Sequence, residues 1–101
     1  MIINRVTFHL KFGKAKEAIA IWKEIYAEAK QTPNAPQMRL LSDLSGTSYT
    51  IVHELHLKSF LDVNAMNFYW ATSPKAQELY QRFIPLCESA EKEFFKIEAI
   101  I

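Results

Sequence analysis

Three residues of this chain have the types that metal binding or proton transfer requires: His9, Glu54 and His56. Imidazole changes charge near neutral pH, and two imidazoles with one carboxylate can hold a metal or move a proton. His–Glu at spacing two on a strand is also what a polar cavity wall looks like, and that is the plainer reading. A second group, Arg39 with Glu54, has the types of a cross-strand ion pair, with anchoring of an anionic substrate as the alternative. A third, Phe60, Met66, Phe68, Tyr69 and Trp70, is an aromatic cluster that either roofs a hydrophobic ligand or packs a core or an interface. His9, Arg39, Glu54, His56 and Trp70 are therefore the candidate cavity residues. No catalytic residue is assigned, and neither a metal nor a cofactor is expected.

Other chemistries lack their motifs. With only Gly13 and Gly46, there is no glycine-rich phosphate loop. No serine or cysteine lies in a nucleophile motif. Cys87 is the single cysteine, so an intramolecular disulfide and a cysteine zinc cluster are excluded; it reads as a small buried hydrophobe on a helix. A net charge of +1 provides no field to gather nucleic acid or an anionic membrane. No apolar stretch approaches the roughly 20 residues of a membrane span, and the first residues do not form a signal peptide. Neither nucleic acid nor membrane is expected as a partner, and a reducing, cytoplasmic compartment is the expectation.

The elements that must position these groups follow from periodicity. Residues 2–12 alternate, with Val6, Phe8, Leu10 and Phe12 on one face and Arg5, Thr7, His9 and Lys11 on the other. That is a strand buried on one side. After Gly13 the period changes: Ala15, Ala18, Ile19, Trp22, Ile25, Tyr26 and Ala29 define an amphipathic helix over roughly 14–31. The stretch from Thr32 to Pro36, with Pro33, ends it. Strands are expected at 37–45 and 48–58. Setting Ser45 against Ser48 pairs Leu40 with His53, Leu41 with Val52, Arg39 with Glu54 and Met38 with Leu55. Apolar then meets apolar and cation meets anion.

Ser59-Phe60-Leu61-Asp62 has the form of a capping box and predicts a short helix to about Ala71. Ser73-Pro74 restarts the helix, with serine as N-cap and proline at the first helical position. The stripe Ala76, Leu79, Tyr80, Phe83, Leu86, Cys87 and Ala90 carries it onward, with a kink expected near Pro85. A last strand is expected over about 94–101. The order βαββαβ, in one domain over 1–101, predicts an α+β ferredoxin-like sandwich: a four-stranded antiparallel sheet with helices on one face.

Such a sheet leaves a helix-free face. It is expected to carry Arg5, Thr7, His9, Lys11, Arg39, Leu41, Asp43, Val52, Glu54 and His56, with Phe94, Lys96 and Ile100 from the last strand. Antiparallel pairing of the first and third strands would place His9 near Glu54 or His56. Either water or a second copy of the chain covers this mixture. His53 points the other way and reads as a hydrogen-bonded core histidine.

The element order and length resemble the dimeric α/β-barrel superfamily, which includes antibiotic-biosynthesis monooxygenases and NIPSNAP-like domains. The stretches that carry the resemblance are Phe8–Gly13, Met38–Gly46, Tyr49–Glu54 and Phe83–Phe95. The resemblance implies a homodimer whose sheets meet face to face and a mixed cavity in each subunit that takes a small hydrophobic or aromatic ligand. It implies no fixed catalytic set. Cofactor-independent monooxygenation is the most concrete activity it suggests, and a non-catalytic sensing or interaction domain is the alternative. Haem-degrading relatives use an Asn, a Trp and a haem-ligating His; this chain has Asn4, Trp70 and His9, in local contexts that do not match.

Overall fold

The computed structural model describes residues 1–33 and 35–101, with the side chains of 65–69 and 71 left outside the description. Its elements are β1 (Ile2–Leu10), α1 (Ala15–Lys30), β2 (Gln37–Ser42), β3 (Thr50–Leu57), α2 (Phe60–Thr72), α3 (Pro74–Phe83) and β4 (Cys87–Lys96). The sheet order is β2-β3-β1-β4, and each paired strand is antiparallel to its neighbour. This is the ferredoxin-like sandwich expected from the periodicities.

Local signals explain most boundaries. Gly13, at φ +79°, turns the chain out of β1, a conformation that costs glycine little. Lys58 N–H and Ser59 N–H both donate to Asp62 Oδ2, at 3.1 and 3.3 Å, which fixes the start of α2. Ser73 Oγ accepts from Ala76 N–H at 3.3 Å, and Pro74 opens α3. The β2–β3 register is the expected one: Met38 faces Leu55, Arg39 faces Glu54, Leu40 faces His53 and Leu41 faces Val52. The strands end earlier than expected, at Ser42 and Thr50. Between them the chain makes a longer loop, tied by Thr50 N–H donating to Asp43 Oδ1 at 3.0 Å and closed through Tyr49 at φ +58°.

The C-terminal third departs from expectation. The second helix does not kink at Pro85 and continue; it stops at Phe83. One 3₁₀ turn, Ile84–Leu86, holds Pro85, and Cys87 begins β4. Pro85 has no N–H to donate back along a helix, whereas β4 pairs with β1 from Ile2–Lys96 to Leu10–Cys87. Residues 97–101 follow β4 without strand structure. Leu86, Cys87 and Ala90 were too few to separate a helical stripe from a strand. The charges along β4 suit an exposed edge strand, which resists pairing with other sheets. Cys87 stays a shielded thiol: burial pushes it up to about 11, against the pull of Lys11.

The core lies between the sheet and helices α1 and α3. Phe8, Trp22 and Phe83 form its centre, joining β1, α1 and α3. Phe8 and Phe83 meet edge-on at 4.8 Å between ring centroids, and Trp22 meets Phe83 at 5.4 Å. Each of these rings contributes both buried area and a directional ring contact.

Candidate functional site

Two groups of functional side chains lie on opposite faces of the sheet. On the helix-free face, Glu54 sits on β3 between β1 and β2. The registers set Arg5 on one side of it and Arg39 on the other. Arg5 Nε donates to Glu54 Oε2 at 2.8 Å. Arg39 donates to Oε1 from Nε at 3.1 Å and from a terminal nitrogen at 2.5 Å. The carboxylate is fully buried, while both guanidinium groups keep access to solvent. Desolvation alone would raise the Glu54 pKa. The hydrogen bonds and charges of Arg39 and Arg5 outweigh it and hold the carboxyl below its usual range. The expected Arg39–Glu54 pair is present, and Arg5 is a second cation that strand periodicity alone did not assign to it.

His9 does not join this group. It faces Thr50 on β3, and its Nε2 lies 3.2 Å from Glu91 Oε1 on β4. Arg5, opposite Glu54, is four residues away along β1, about 13 Å, and Ile3, opposite His56, is six residues away, about 20 Å. The expected proximity of His9 to Glu54 or His56 is therefore corrected. β1 and β3 are adjacent as expected, but their register sends His9 to the other end of the sheet. Among the described residues no group of three or more His, Cys, Asp or Glu side chains is placed to hold a metal. His56 keeps its place on this face, and its Nε2 is buried without a hydrogen-bond partner among the described residues.

The β4 contribution to this face is also corrected. Ser89, Glu91, Glu93 and Phe95 pair with His9, Thr7, Arg5 and Ile3 and share their side of the sheet. Phe95 lies under the Arg5 guanidinium at 4.9 Å. Phe94 and Lys96 fall on the other side, where the Phe94 ring meets Phe60 of α2 at 5.6 Å. Ile100 lies beyond the strand. Starting β4 at Cys87 rather than 94 is what decides these faces.

The second group lines a cavity of about 380 Å³ between the sheet and helices α2 and α3. Phe8, Leu55, Leu57, Val63, Trp70 and Tyr80 supply its apolar wall; Asn4, Trp22, His53, Gln77, Gln81 and Lys92 supply polar atoms. Asn4 is 6% exposed and Trp22 3% exposed, and their Oδ1 and Nε1 atoms are buried without a hydrogen-bond partner among the described residues. His53 is buried, stacks on Trp22 at 4.8 Å and shares a 2.6 Å hydrogen bond through Nδ1 with the Tyr26 hydroxyl. This is the core histidine expected on the helix side. Burial lowers its pKa to about 4, against the opposing pull of Glu54, so the ring is neutral at neutral pH. The Tyr26 phenol is pushed up by burial and by Glu54 and stays protonated.

Of the five candidate cavity residues, Trp70 alone lines this space; His9, Arg39, Glu54 and His56 stand on the far side of the sheet. Met66, Phe68 and Tyr69 of the aromatic cluster lie outside the described residues. Asn4 and Trp70 share the cavity, but His9 is not there to complete a haem-degrading set. Asn4 had a legible signal, being the one polar residue in register with Val6, Phe8 and Leu10 on the apolar face of β1. Lys92 had none until β4 was located.

No family model matches the chain, and no curated protein matches it. Solved structures do. A NIPSNAP domain protein from Burkholderia xenovorans superposes with a TM-score of 0.82 at 21% identity, covering 100% of this chain and 98% of that one. A NIPSNAP family protein from Agrobacterium tumefaciens gives 0.79 at 18% identity, over 94% of this chain and 90% of that one. An antibiotic biosynthesis monooxygenase gives 0.72 at 10% identity, with 100% of both chains covered. At these identities the likeness is one of fold: the chain has the ferredoxin-like fold shared by NIPSNAP and antibiotic biosynthesis monooxygenase structures.

Proposed function

We propose that this protein binds a small, partly hydrophobic organic molecule in the cavity between its sheet and helices α2 and α3. The observation that carries this reading is the cavity itself, about 380 Å³ with an apolar wall of Phe8, Leu55, Leu57, Val63, Trp70 and Tyr80 and a few polar side chains from Asn4, His53, Gln77, Gln81 and Lys92. The volume and mixed lining match those of small-molecule pockets.

Cofactor-independent oxygenation of the bound molecule is the most concrete activity, supported by the shared fold with an antibiotic biosynthesis monooxygenase. The largely apolar lining also suits a non-catalytic ligand sensor. Titration with quinol-like aromatics in an oxygen electrode, with melting followed in parallel, separates the two. Oxygen uptake with product formation supports the enzyme. Stabilised melting without uptake rejects the enzyme and retains the binding domain. No stabilisation by any of these compounds rejects the binding reading.

The partner in this proposal is a second copy of the chain, seated on the helix-free face. Support comes from Leu41, 38% exposed, and Phe95, 41% exposed, which flank the Arg5–Glu54–Arg39 group on a sheet with no helix over it. No helix among the described residues is long and apolar enough to cross a membrane. The single cysteine supports a reducing, cytoplasmic compartment.

A further inference from the structure

We infer that His53 is the residue that reads the ligand: its Nε2–H donates a hydrogen bond to a carbonyl oxygen, so the cavity takes an apolar ketone or aldehyde in preference to a hydrocarbon or a phenol. This rests on the reading of the cavity as a ligand site and names the chemical group that the site recognises.

His53 comes from β3, between Val6 of β1 and Leu40 of β2, and its ring lines the cavity. Two groups on α1 hold that ring. Trp22 stacks on it at 4.8 Å, with the ring planes 30° apart, and the Tyr26 hydroxyl bonds Nδ1 at 2.6 Å. Tyr26 is not part of the cavity wall, so Nε2, across the ring from Nδ1, is the nitrogen left for the cavity. Nε2 has no hydrogen-bond partner among the described residues. It differs from Asn4 Oδ1 and Trp22 Nε1, which are sealed from contact: Nε2 is not among the unpaired polar atoms that the packing closes off.

The Tyr26 bond decides what Nε2 offers. A neutral imidazole has one N–H and one bare nitrogen. At 2.6 Å the contact is shorter than N–H···O bonds run, about 2.7–3.2 Å, so the phenol O–H is the donor and Nδ1 the acceptor. Burial and Glu54 keep that phenol protonated, so it has the proton to give. The ring proton therefore sits on Nε2. Burial also holds the ring neutral, its pKa lowered to about 4, which makes Nε2–H a donor without a charge. Fixed by the stack and by Tyr26, it needs no rearrangement to polarise a carbonyl. A hydrocarbon in the same place would strip water from Nε2–H and return nothing.

Calorimetric titration of the full chain with 1-tetralone, tetralin and 5,6,7,8-tetrahydro-2-naphthol tests this, since the three share one skeleton and differ in the polar group. Wild-type protein should bind the ketone about fivefold more tightly than tetralin, the size expected of one neutral hydrogen bond, and more tightly than the phenol. The preference should vanish in His53→Phe and shrink in Tyr26→Phe, which frees the ring proton to either nitrogen. Two measurements need no variant. Nitrogen NMR of the isotopically labelled protein should place the His53 proton on Nε2. The infrared carbonyl stretch of bound tetralone should lie below its value in an alkane solvent. Ketone and tetralin bound equally well, or an unshifted stretch, would overturn the carbonyl assignment and leave the cavity reading standing. The phenol binding most tightly, or the proton found on Nδ1, overturns the donor role of Nε2. A ketone preference that survives His53→Phe overturns the role of His53, and one unchanged in Tyr26→Phe overturns that of Tyr26. Failure of all three compounds to bind overturns both the carbonyl assignment and the cavity reading.

Discussion

Arg39 meets Glu54 directly across the β2–β3 ladder, two of its nitrogens on one carboxylate oxygen, while Arg5 takes the other oxygen from the opposite strand. One fully buried carboxylate thus locks three adjacent strands with two cations. Removing its charge leaves two guanidinium groups, both partly open to solvent, without their shared counter-ion. Glu54→Gln should lower stability by about 3 kcal/mol, measured by urea denaturation. A loss under about 1 kcal/mol would show that the carboxylate is not the centre of the lock. The same group sets an acid limit. Its folded pKa is depressed, so its contribution is complete above the unfolded value near 4.5 and is lost as pH falls through the lower folded value.

His53 predicts a pH effect in a separate window. The unfolded imidazole takes up a proton near 6.5, and the folded one resists until about 4. Between these values the unfolded state holds more protons, so stability falls as pH drops from 6.5 towards 4. The loss attributable to this group should be on the order of 3 kcal/mol by the lower limit. Urea midpoints at pH 7.5 and 5 should differ in wild type and differ less in His53→Gln. An NMR titration showing His53 charged at pH 6 would contradict the burial argument.

The helix-free face predicts an assembly. Light scattering at micromolar concentration should give twice the chain mass of 11.7 kDa. Leu41→Asp, which puts a charge on that face while leaving Arg5, Arg39 and Glu54 in place, should shift the protein to monomer without unfolding it. A wild-type monomer would leave the face simply hydrated.

Phe83 anchors α3 against β1 and α1, with no exposed surface. Phe83→Ala should cost about 3–5 kcal/mol, through lost burial and the cavity left behind. Ser73→Ala, which removes the cap on the same helix, should cost about 1 kcal/mol. Denaturation midpoints that ranked these two in reverse would place the stability of α3 in its cap rather than its core contact.

Residues with a local cause were legible in the chain itself. The alternation of Val6, Phe8 and Leu10, the helical stripe around Trp22, the Ser73-Pro74 start and the β2–β3 register all depend on neighbours within a few residues or across one hairpin. Arg39 with Glu54 was readable for that reason. Arg5 with Glu54 was not, because β1 and β3 are joined by no hairpin and their register is set by core packing. The stretch from Leu86 to Ala90 reads as the end of a helical stripe, and only its pairing with β1 shows Cys87 onward to be strand.

Taken alone, the sequence determined the βαββαβ order, one core, the absence of phosphate-loop and nucleophile motifs, and the side of each β1, β2 and β3 residue. These follow from period, capping and turn chemistry, which act over short range. The tertiary structure alone decided that His9 stands apart from Glu54 and His56, that Lys92 lines the cavity, and that Asn4 Oδ1 and Trp22 Nε1 are buried without hydrogen-bond partners among the described residues. Those facts depend on strand registers between distant segments and on how α2 and α3 close over the sheet. No periodicity encodes them, because the packing energies of the whole core choose among registers that look alike locally.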